Sequence, residues 1–461
     1  MISDPDVVGL LYLVTIVCFV IALRFLSSPK HARKGNWVGG AGMLVAVGTT
    51  LLLDGIGNWA LIVVGGLIGA VAGVVGARNV RMTAMPQMVA IFNGVGGGAA
   101  ALVALAEWHS EAGPARDSTT SIVLSALIGS ISFAGSIIAF AKLQELLSGR
   151  PIVFPWQNVV NILVLLSAAG LGVAAIAGAD EQWVLWALVA LALLFGVMFV
   201  LPIGGADMPV VISLLNAFTG IAASATGFVL DSTVLIVSGM LVGAAGTLLT
   251  LLMAKAMNRS VANVLFGAFG RVQTGAAAAR ADDGRTVRAT TAEDVAVQLS
   301  FARKVIVVPG YGMAVAQAQH DVRQLADLLE ERGVDVRYAI HPVAGRMPGH
   351  MNVLLAEANV PYTQLSEMDE INPEFPQTDV VLVIGANDVT NPAARSDPAS
   401  PIYGMPILDV DKAASIVVLK RSMNPGFAGI DNELYLDPKT TMLFGDAKES
   451  VLKLIAAVKS A

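Results

Sequence analysis

The chain has 461 residues, of which 55% are hydrophobic and 14% charged, and its mean hydropathy is +0.69. Soluble chains have about 25% charged residues. Charges here are concentrated after about residue 271, which predicts a membrane part followed by a soluble part. The net charge of -6 argues against a nucleic acid partner, and the single cysteine, Cys18, excludes a disulfide within the chain.

Nine apolar runs follow one another in chain order, each close to the roughly 20 residues that cross a bilayer. They cover residues 8–26, 37–53, 58–77, 86–106, 119–141, 158–178, 183–203, 209–230 and 233–254. The first run follows acidic rather than basic residues, so we expect a retained helix and not a cleaved signal. With the N-terminus outside, the inner gaps hold nine Lys or Arg residues and the outer gaps only Arg116. This bias predicts a cytoplasmic C-terminal part.

Polar residues within and beside these runs suggest function but leave alternatives open. Asn93 and Asn216 indicate either a path for water or ions or an interhelical hydrogen bond. Asp207 lies at an inner membrane edge, where a surface or cap carboxylate is the alternative to a proton carrier. Lys255 and Arg259 flank the last run, where interfacial anchoring is the simpler interpretation.

Glycines recur every four residues in two of the runs, at Gly65, Gly69 and Gly73 and at Gly239 and Gly243. This spacing predicts close packing between helices. A formal G-x-G-x-x-A pattern at residues 94–99 lies inside an apolar run rather than at a strand-to-helix turn, so we assign it no phosphate-binding function.

The C-terminal part reads as a separate α/β domain. Residues 270–291 are rich in Ala, Gly, Thr, Asp and Arg and predict a flexible linker. Apolar strands are then predicted at 304–309, 334–340, 380–385 and 415–420, with helices at about 313–332 and 350–359. The alternation predicts a doubly wound, Rossmann-like parallel sheet. We therefore divide the chain into a multi-span α-helical membrane domain (1–260), a linker (261–291) and a C-terminal domain (292–461).

The sequence Gly310-Tyr311-Gly312 follows the first predicted strand and opens the first helix. In that position Gly310 would allow a tight turn and Gly312 would let backbone amides reach a pyrophosphate, which the helix N-terminus attracts. Val315 replaces the third glycine of the fingerprint, so a plain tight turn is the alternative.

The choice of nucleotide rests on charge. NAD sites usually have an acid at the end of the second strand to bind the ribose 2′-hydroxyl, but here that strand ends at His341 without one. Lys420 and Arg421 follow a later strand and would suit the 2′-phosphate of NADP. A solvated basic pair is the alternative.

These segments and several others resemble the beta subunit of proton-translocating NAD(P) transhydrogenases over nearly the whole chain. The resemblance is carried by residues 309–319, 341–357, 368–372, 385–388, 420–423 and 444–448, and in the membrane part by 204–210 and 255–259. It implies that this chain binds NADP(H), that a partner alpha subunit binds NAD(H), and that hydride passes directly between them, coupled to proton translocation. It also implies a reversed NADP pose relative to the usual Rossmann arrangement, and no metal.

Site residues carry over by motif. Residues 310–315 would lie against the dinucleotide bridge, 344–346 would form a second wall, 385–388 would border the nicotinamide half, 420–422 would hold the 2′-phosphate, 426–429 would form part of a lid, and 446–447 would touch the adenosine side. The residues next to these segments, Val343, Met347, Pro348, Val389 and Met423, are further cofactor-binding candidates. The individual residues are Gly310, Tyr311, Gly312, Met313, Ala314, Val315, Val343, Ala344, Gly345, Arg346, Met347, Pro348, Gly385, Ala386, Asn387, Asp388, Val389, Lys420, Arg421, Ser422, Met423, Gly426, Phe427, Ala428, Gly429, Asp446 and Ala447. Asp388 and Tyr311 are the catalytic candidates, and Asp388 is also a candidate for linking protonation to nucleotide affinity.

The proton path departs from the family pattern. The resemblance assigns it Asn93, Asn216, Asp207, Lys255 and Arg259, but some relatives have a proton-carrying His where this chain has Asn93. Asn cannot titrate, so we expect the His on a small membrane alpha subunit. Those relatives also have acids near the positions of Ala84 and Gln87, and many have Tyr where this chain has Phe427.

The expected setting is a bacterial inner membrane, with a homodimer of the alpha–beta complex in the lipid bilayer. Two other classes are weighed against it. A channel or carrier gated by a nucleotide sensor would predict a pore signature and an acid ending the second strand, and neither is found. A scaffold would leave Gly310-Tyr-Gly312 and Lys420-Arg421 unexplained.

Overall fold

The computed structural model describes residues 4–53, 56–109, 116–148, 151–179, 181–204, 207–257, 260–266, 286–347, 349–398, 400, 402–426 and 428–460. The chain divides into two compact units, one over residues 1–251 and 261–270 and the other over 252–260 and 271–461. Of the predicted linker, residues 267–285 lie outside the described part.

Long helices make up the N-terminal part of the chain. Within the described residues they are α1 (Pro5–Leu26), α2 (Pro29–Leu51), α3 (Trp59–Asn79), α4 (Met85–Trp108), α5 (Arg116–Leu143), α6 (Gln157–Ile176), α7 (Gln182–Val200), α8 (Met208–Val229) and α9 (Thr233–Ala256), with the short α10 (Val261–Phe266) after them. Eight of the nine long helices in the described ranges are long and apolar enough to cross a membrane, judged by length and composition. The exception is α2, which begins Pro29-Lys-His-Ala-Arg-Lys34, so its crossing stays a prediction.

Backbone contact between helices confirms one predicted glycine pair but not the other set. A Cβ added to Gly239 on α9 would lie 2.5 Å from the Ser224 amide nitrogen on α8, so this contact requires glycine. Gly243, one turn further along α9, packs on Ile221 of α8. On α3, by contrast, a Cβ at Gly65, Gly69 or Gly73 meets no atom of the described residues within 4 Å, and none of the helix is buried. The prediction of close packing for α3 is therefore wrong within the described chain.

The second unit is built on a parallel sheet. In the described residues it has six strands, β1 (Lys304–Pro309), β2 (Asp335–Ile340), β3 (Leu365–Glu367), β4 (Val380–Ile384), β5 (Ser415–Lys420) and β6 (Thr440–Phe444). Their order is β3-β2-β1-β4-β5-β6, and every neighbouring pair is parallel. The central strands are almost wholly apolar and buried, as expected for a sheet covered on both faces. The predicted doubly wound fold is confirmed.

Helices alternate with these strands. They are α11 (Ala292–Phe301), α12 (Tyr311–Val315), α13 (Gln319–Glu331), α14 (His350–Glu357), α15 (Met368–Ile371), α16 (Ala393–Ser396) and α17 (Ala447–Ser460). The single helix predicted over 313–332 is wrong, because Gln317 adopts a left-handed conformation (φ 53°) and separates α12 from α13. The Ala318 amide closes the end of α12 by donating to the Met313 carbonyl oxygen.

The sequence missed two strands and part of the sheet edge. β3 is only three residues long, and β6 begins with two threonines. Residues 288–290, predicted as linker, lie alongside β6: the Met442 amide donates to the Arg288 carbonyl at 2.7 Å, and the Thr290 amide donates to the Met442 carbonyl at 3.0 Å. This end of the predicted linker is therefore part of the sheet.

Candidate functional site

The predicted nucleotide-site residues lie on segments that leave one edge of the sheet. Since all strands run parallel, the segments after β1, β2, β4, β5 and β6 start at the same edge. The strand order changes direction between β1 and β4. In doubly wound folds the crevice outside the carboxyl ends of the strands at such a switch point binds the ligand. The candidate site is this crevice.

The turns after β1 and β4 touch backbone to backbone. The Gly312 amide donates to the Gly385 carbonyl at 3.0 Å, and a Cβ on Gly312 would lie 2.7 Å from the Gly385 Cα. A Cβ on Gly310 would overlap the backbone of Ala386, and Gly385 has a left-handed φ of 70°. We call these four residues the glycine seam. Gly312 was expected to free amides for a pyrophosphate; its own amide instead joins the two turns.

Beyond β2, an arginine stacks on a tyrosine. The Arg346 guanidinium carbon lies 4.5 Å from the centroid of the Tyr311 ring, within the range of a cation–π interaction. The Tyr311 ring is also tilted against that of His350, with centroids 6.2 Å apart. The structure thus brings together one residue from the Gly-Tyr-Gly turn and one from the predicted second wall.

His350 contacts both members of this pair, the ring of Tyr311 and the backbone of Arg346. It is fully buried, and its Nδ1 accepts the Arg346 backbone N–H at 3.0 Å. Gly345 has φ 104°, and a Cβ there would lie 2.5 Å from His350 Nδ1. Burial, and secondly the charge of Arg346, lower the pKa of His350 from 6.5 to about 4. The ring is therefore neutral at pH 7 and acts as an acceptor at Nδ1.

His341, at the end of β2, is a second buried neutral histidine. Its Nδ1 accepts the Val343 amide at 3.2 Å, so Nε2 is protonated and donates to the Pro406 carbonyl at 2.8 Å. Burial lowers the pKa of His341 from 6.5 to about 4, against the opposing effect of the bond to Pro406. The position where NAD sites usually carry an acid therefore holds an uncharged ring, and both of its nitrogens hydrogen bond to backbone groups.

An ionic group lies beyond β4 and β5. The Asp388 carboxylate accepts the Ala428 amide at 2.9 Å, which ties the predicted lid to the end of β4. Burial lowers the pKa of Lys420, and the nearby Asp388 charge opposes that shift. A Cβ at Gly426 would lie 2.6 Å from Asp388 Oδ1, so the lid rests directly on this carboxylate.

The remaining predicted site residues differ in how far their side chains are exposed. The Met313, Ala314, Ala344 and Val389 side chains are buried, so their contribution to a bound nucleotide would come from backbone atoms. Arg421, Ser422 and Met423 are exposed after β5. Asp446 caps α17, its Oδ1 accepting the Lys448 amide at 2.9 Å. Pro348 and Phe427 lie outside the described residues.

The sequence missed two residues of this region, Asn432 and Tyr435. Both are almost fully buried and hydrogen bond to the Asn387 side chain. They lie on a short 3₁₀ turn (Glu433–Leu436) and the residue before it, more than 40 positions from Asn387. No spacing rule links such distant positions, so only the hydrogen bonds reveal them.

In the helical part, Asn93 joins three helices. Its Nδ2 donates to Ser136 at 2.9 Å and to Ser132 at 3.3 Å on α5. Ser132 also donates to the Leu215 carbonyl of α8 at 2.9 Å and lies 2.6 Å from the Thr219 hydroxyl. The interhelical hydrogen bond that the sequence left open is therefore present. Ser132, Ser136 and Thr219 were missed, although serines four apart in an apolar run were a visible signal.

The other predicted path residues are dispersed. Asn216 is half-buried on α8. Asp207 is buried at the start of α8, and its amide donates to the Gly204 carbonyl at 3.0 Å. Lys255 is exposed in the last turn of α9, and Arg259 lies outside the described residues.

Comparison with known proteins decides the family. The family model described as NAD(P) transhydrogenase beta subunit matches residues 8–457. Two relatives from Rhodospirillum rubrum, both named NAD(P) transhydrogenase subunit beta, are 50% identical over 455 residues, which is 97% of this chain and 98% of each relative. The chain belongs to the family of NAD(P) transhydrogenase beta subunits.

Several conclusions follow for a transhydrogenase beta subunit. It is part of an enzyme that uses nicotinamide nucleotides, and it has an alpha subunit as partner. Proton-coupled hydride transfer between the nucleotides follows from the family. Helices able to cross a membrane and a Rossmann-like sheet are the two parts that such coupling requires, and the described chain contains both.

Proposed function

We propose that this beta subunit binds NADP(H) in the crevice between the ends of β1 and β4, and that the alpha subunit binds NAD(H). The observation that carries the proposal is the charge distribution around the glycine seam. Arg346 lies on Tyr311 on one side, and Lys420 approaches Asp388 on the other. At the end of β2 the neutral His341 stands where NAD sites usually carry an acid.

The cations have separate functions in this proposal. Arg346 and Tyr311 bind the dinucleotide bridge, where a guanidinium pairs well with phosphate oxygens. Lys420, Arg421 and Ser422 hold the 2′-phosphate. Because burial lowers the pKa of Lys420 and Asp388 opposes that shift, a bound phosphate would add a second group favouring the charged amine.

Asp388 is proposed to work near the nicotinamide. Its bond to the Ala428 amide holds the lid over the end of β4. A closed lid excludes water from the reacting carbons and keeps the nicotinamide in place for direct hydride transfer. Protonation of Asp388 would weaken that bond, since a carboxylate accepts hydrogen bonds better than a carboxylic acid. This supports its assignment as the link between protonation and nucleotide affinity.

The proton path is proposed to run beside Asn93. Its hydrogen bonds to Ser132 and Ser136 create a polar centre among apolar helices, but an amide cannot carry a proton. We therefore assign the titrating His to a small membrane alpha subunit. A charge crossing about 100 mV releases about 2.3 kcal/mol, so about 200 mV would shift the nucleotide ratio by roughly three decades.

We further propose an inner-membrane location, a cytoplasmic sheet domain and a homodimer of the alpha–beta complex. The orientation is supported by the Lys and Arg bias of the inner gaps. Labelling of cysteines introduced at exposed positions such as Ser422 in whole cells and in inverted vesicles would test it. Labelling in whole cells alone would contradict the cytoplasmic assignment.

Nucleotide binding to the detergent-solubilised full chain tests the central proposal. NADPH fluorescence should rise on binding, and NADH should bind far more weakly. Lys420→Gln should reduce that preference, while Lys439→Gln, whose amine binds the Asp411 and Ala413 carbonyls away from the site, is the matched control. Equal affinity for NADH and NADPH would contradict the proposal. Adding the alpha subunit with NADH should then permit hydride transfer.

A further inference from the structure

The side chain of Asn387 is held in one orientation by residues outside the predicted site. Tyr435 lies in the 3₁₀ turn that follows the predicted lid, Asn432 is the residue just before that turn, and both are nearly inaccessible to solvent. Their hydrogen bonds decide which end of the Asn387 amide is oxygen and which is nitrogen, and this in turn decides what the amide can bind.

The orientation of Asn432 is fixed first. Its side-chain oxygen accepts the Leu434 backbone N–H at 3.0 Å, so the other end of the amide must be the NH₂ group. That group lies 3.0 Å from the Asn387 backbone carbonyl, which only accepts, and 3.3 Å from the Thr390 hydroxyl. Asn432 therefore presents a donor toward Asn387.

The orientation of Asn387 follows from that donor. Asn432 Nδ2 lies 3.1 Å from one terminal atom of the Asn387 side chain, which must then be the oxygen. The Tyr435 hydroxyl donates to the same oxygen at 2.8 Å. With the oxygen held by two donors, the NH₂ group points away from them. Nδ2 is buried and has no hydrogen-bond acceptor among the residues that the structure describes.

The surroundings of Nδ2 connect it to the proposed nucleotide site. Asn387 follows Ala386 of the glycine seam and precedes Asp388. A Cβ at Gly426 would lie 2.6 Å from Asn387 Nδ2, so the lid covers this amide. On the other side, Lys420 Nζ lies 5.4 Å from the centroid of the Tyr435 ring. Tyr435 thus contacts Asn387, of the segment proposed to border the nicotinamide, through its hydroxyl. Its ring lies beside Lys420, the cation proposed to bind the 2′-phosphate.

We infer that Asn432 and Tyr435 are positioning residues that turn the Asn387 NH₂ group toward the nucleotide, where it donates to an acceptor oxygen of the nicotinamide half. Buried donors in proteins nearly always have an acceptor, and a ligand oxygen beneath the lid supplies the one missing here. This inference rests on the proposed NADP(H) site. It assigns two functions to Tyr435 that can be separated, since the hydroxyl orients Asn387 and the ring neighbours Lys420.

Two ligands separate these functions. NADPH has both halves of the dinucleotide, whereas 2′,5′-ADP has the 2′-phosphate but lacks the nicotinamide half. With the full chain in detergent, Tyr435→Phe should weaken NADPH binding about fivefold, the effect of one hydrogen bond, and leave 2′,5′-ADP binding unchanged. Tyr435→Leu, which also removes the ring, should weaken both. Tyr362→Phe, at an exposed tyrosine of the same unit, is the matched control.

A second variant tests the donor itself. Asn387→Asp keeps an oxygen for Asn432 and Tyr435 but replaces NH₂ by an acceptor, so NADPH should bind about tenfold more weakly. The added charge lies near the 2′-phosphate cation Lys420, so 2′,5′-ADP should also weaken, but by less than NADPH. Equal weakening of the two ligands by Asn387→Asp would contradict the donor function of the amide. Thermal unfolding of each variant identifies any loss of fold. Equal weakening of both ligands by Tyr435→Phe, or no weakening of either, would overturn the inference. Failure of the unaltered chain to bind either ligand would instead overturn the proposed function.

Discussion

His350→Asn is expected to make the sheet unit less sensitive to acid. In the folded chain burial lowers the pKa of His350 to about 4, whereas an unfolded histidine titrates near 6.5. As the pH falls, the unfolded state therefore takes up the histidine proton before the folded state does. The free energy of unfolding is not reduced by this group well above pH 6.5, and it decreases as the pH falls from 6.5 toward 4. At pH 5 the loss is about 2 kcal/mol for this one group.

Asparagine isolates that loss because it preserves the local hydrogen bond. Its Oδ1 stands at the position of His350 Nδ1 and can accept the Arg346 backbone N–H, but it does not titrate. The ring packing on Tyr311 is lost at every pH, so it lowers stability by a constant amount. The contribution of His341 is present in both proteins and cancels in the comparison.

Urea unfolding read by pulse proteolysis measures the effect on the full chain. Between pH 7.5 and pH 5, the unfolding free energy of the unaltered chain should fall by about 2 kcal/mol more than that of His350→Asn. His320→Asn, on the exposed face of α13, controls for replacing a histidine by asparagine. Parallel pH curves for the unaltered chain and His350→Asn would refute the assignment of a buried, neutral His350.

Three further predictions concern the site and the helices. Lys420→Gln should weaken NADPH binding by about tenfold to a hundredfold and leave NADH unchanged in fluorescence titrations; a parallel loss for NADH would argue against 2′-phosphate recognition. Arg346→Met should raise the NADPH dissociation constant about tenfold, whereas an unchanged constant would remove Arg346 from the site. Gly239→Ala should lower the melting temperature in detergent, because the new methyl lies 2.5 Å from the Ser224 amide, while Gly69→Ala, with no neighbour within 4 Å in the described chain, should not; equal shifts would contradict the packing.

The sheet was predictable because its strands are short apolar runs separated by helical patterns. Residues 304–309 and 415–420 coincide with β1 and β5. β3 was missed because three residues carry no detectable alternation. The break at Gln317 was missed because a left-handed residue that is neither glycine nor asparagine leaves no compositional mark.

The site was predictable at the level of segments, and its contacts were not. The Gly310-Tyr-Gly312 turn was found by its position between a strand and a helix. That Gly312 bonds to Gly385 depends on β4 lying beside β1, which only the sheet order determines. The same holds for Tyr435 and Asn387, which meet only after the chain has passed through β5 and the lid.

In the helical part, equal glycine spacing gave unequal outcomes. Gly239 touches a neighbouring helix, and Gly69 on α3 does not within the described residues. Small residues permit close approach but do not specify a partner, which depends on the order of helices in the bundle. For the same reason Asn93 could be recognised as unusual, and the serines four apart on α5 were visible in the sequence, but nothing in the sequence paired them with Asn93.

The glycine seam restricts how this site can change in evolution. At Gly310, Gly312 and Gly385 even a single methyl group would collide with main-chain atoms, so a substitution there must shift the turn after β1 or the turn after β4. The ends of β2 and β5, in contrast, present side chains whose replacement disturbs no main-chain contact of the seam. In the proposed site, the choice between NADP(H) and NAD(H) can therefore change at Lys420 and Arg421 without altering the backbone contact between the turns after β1 and β4.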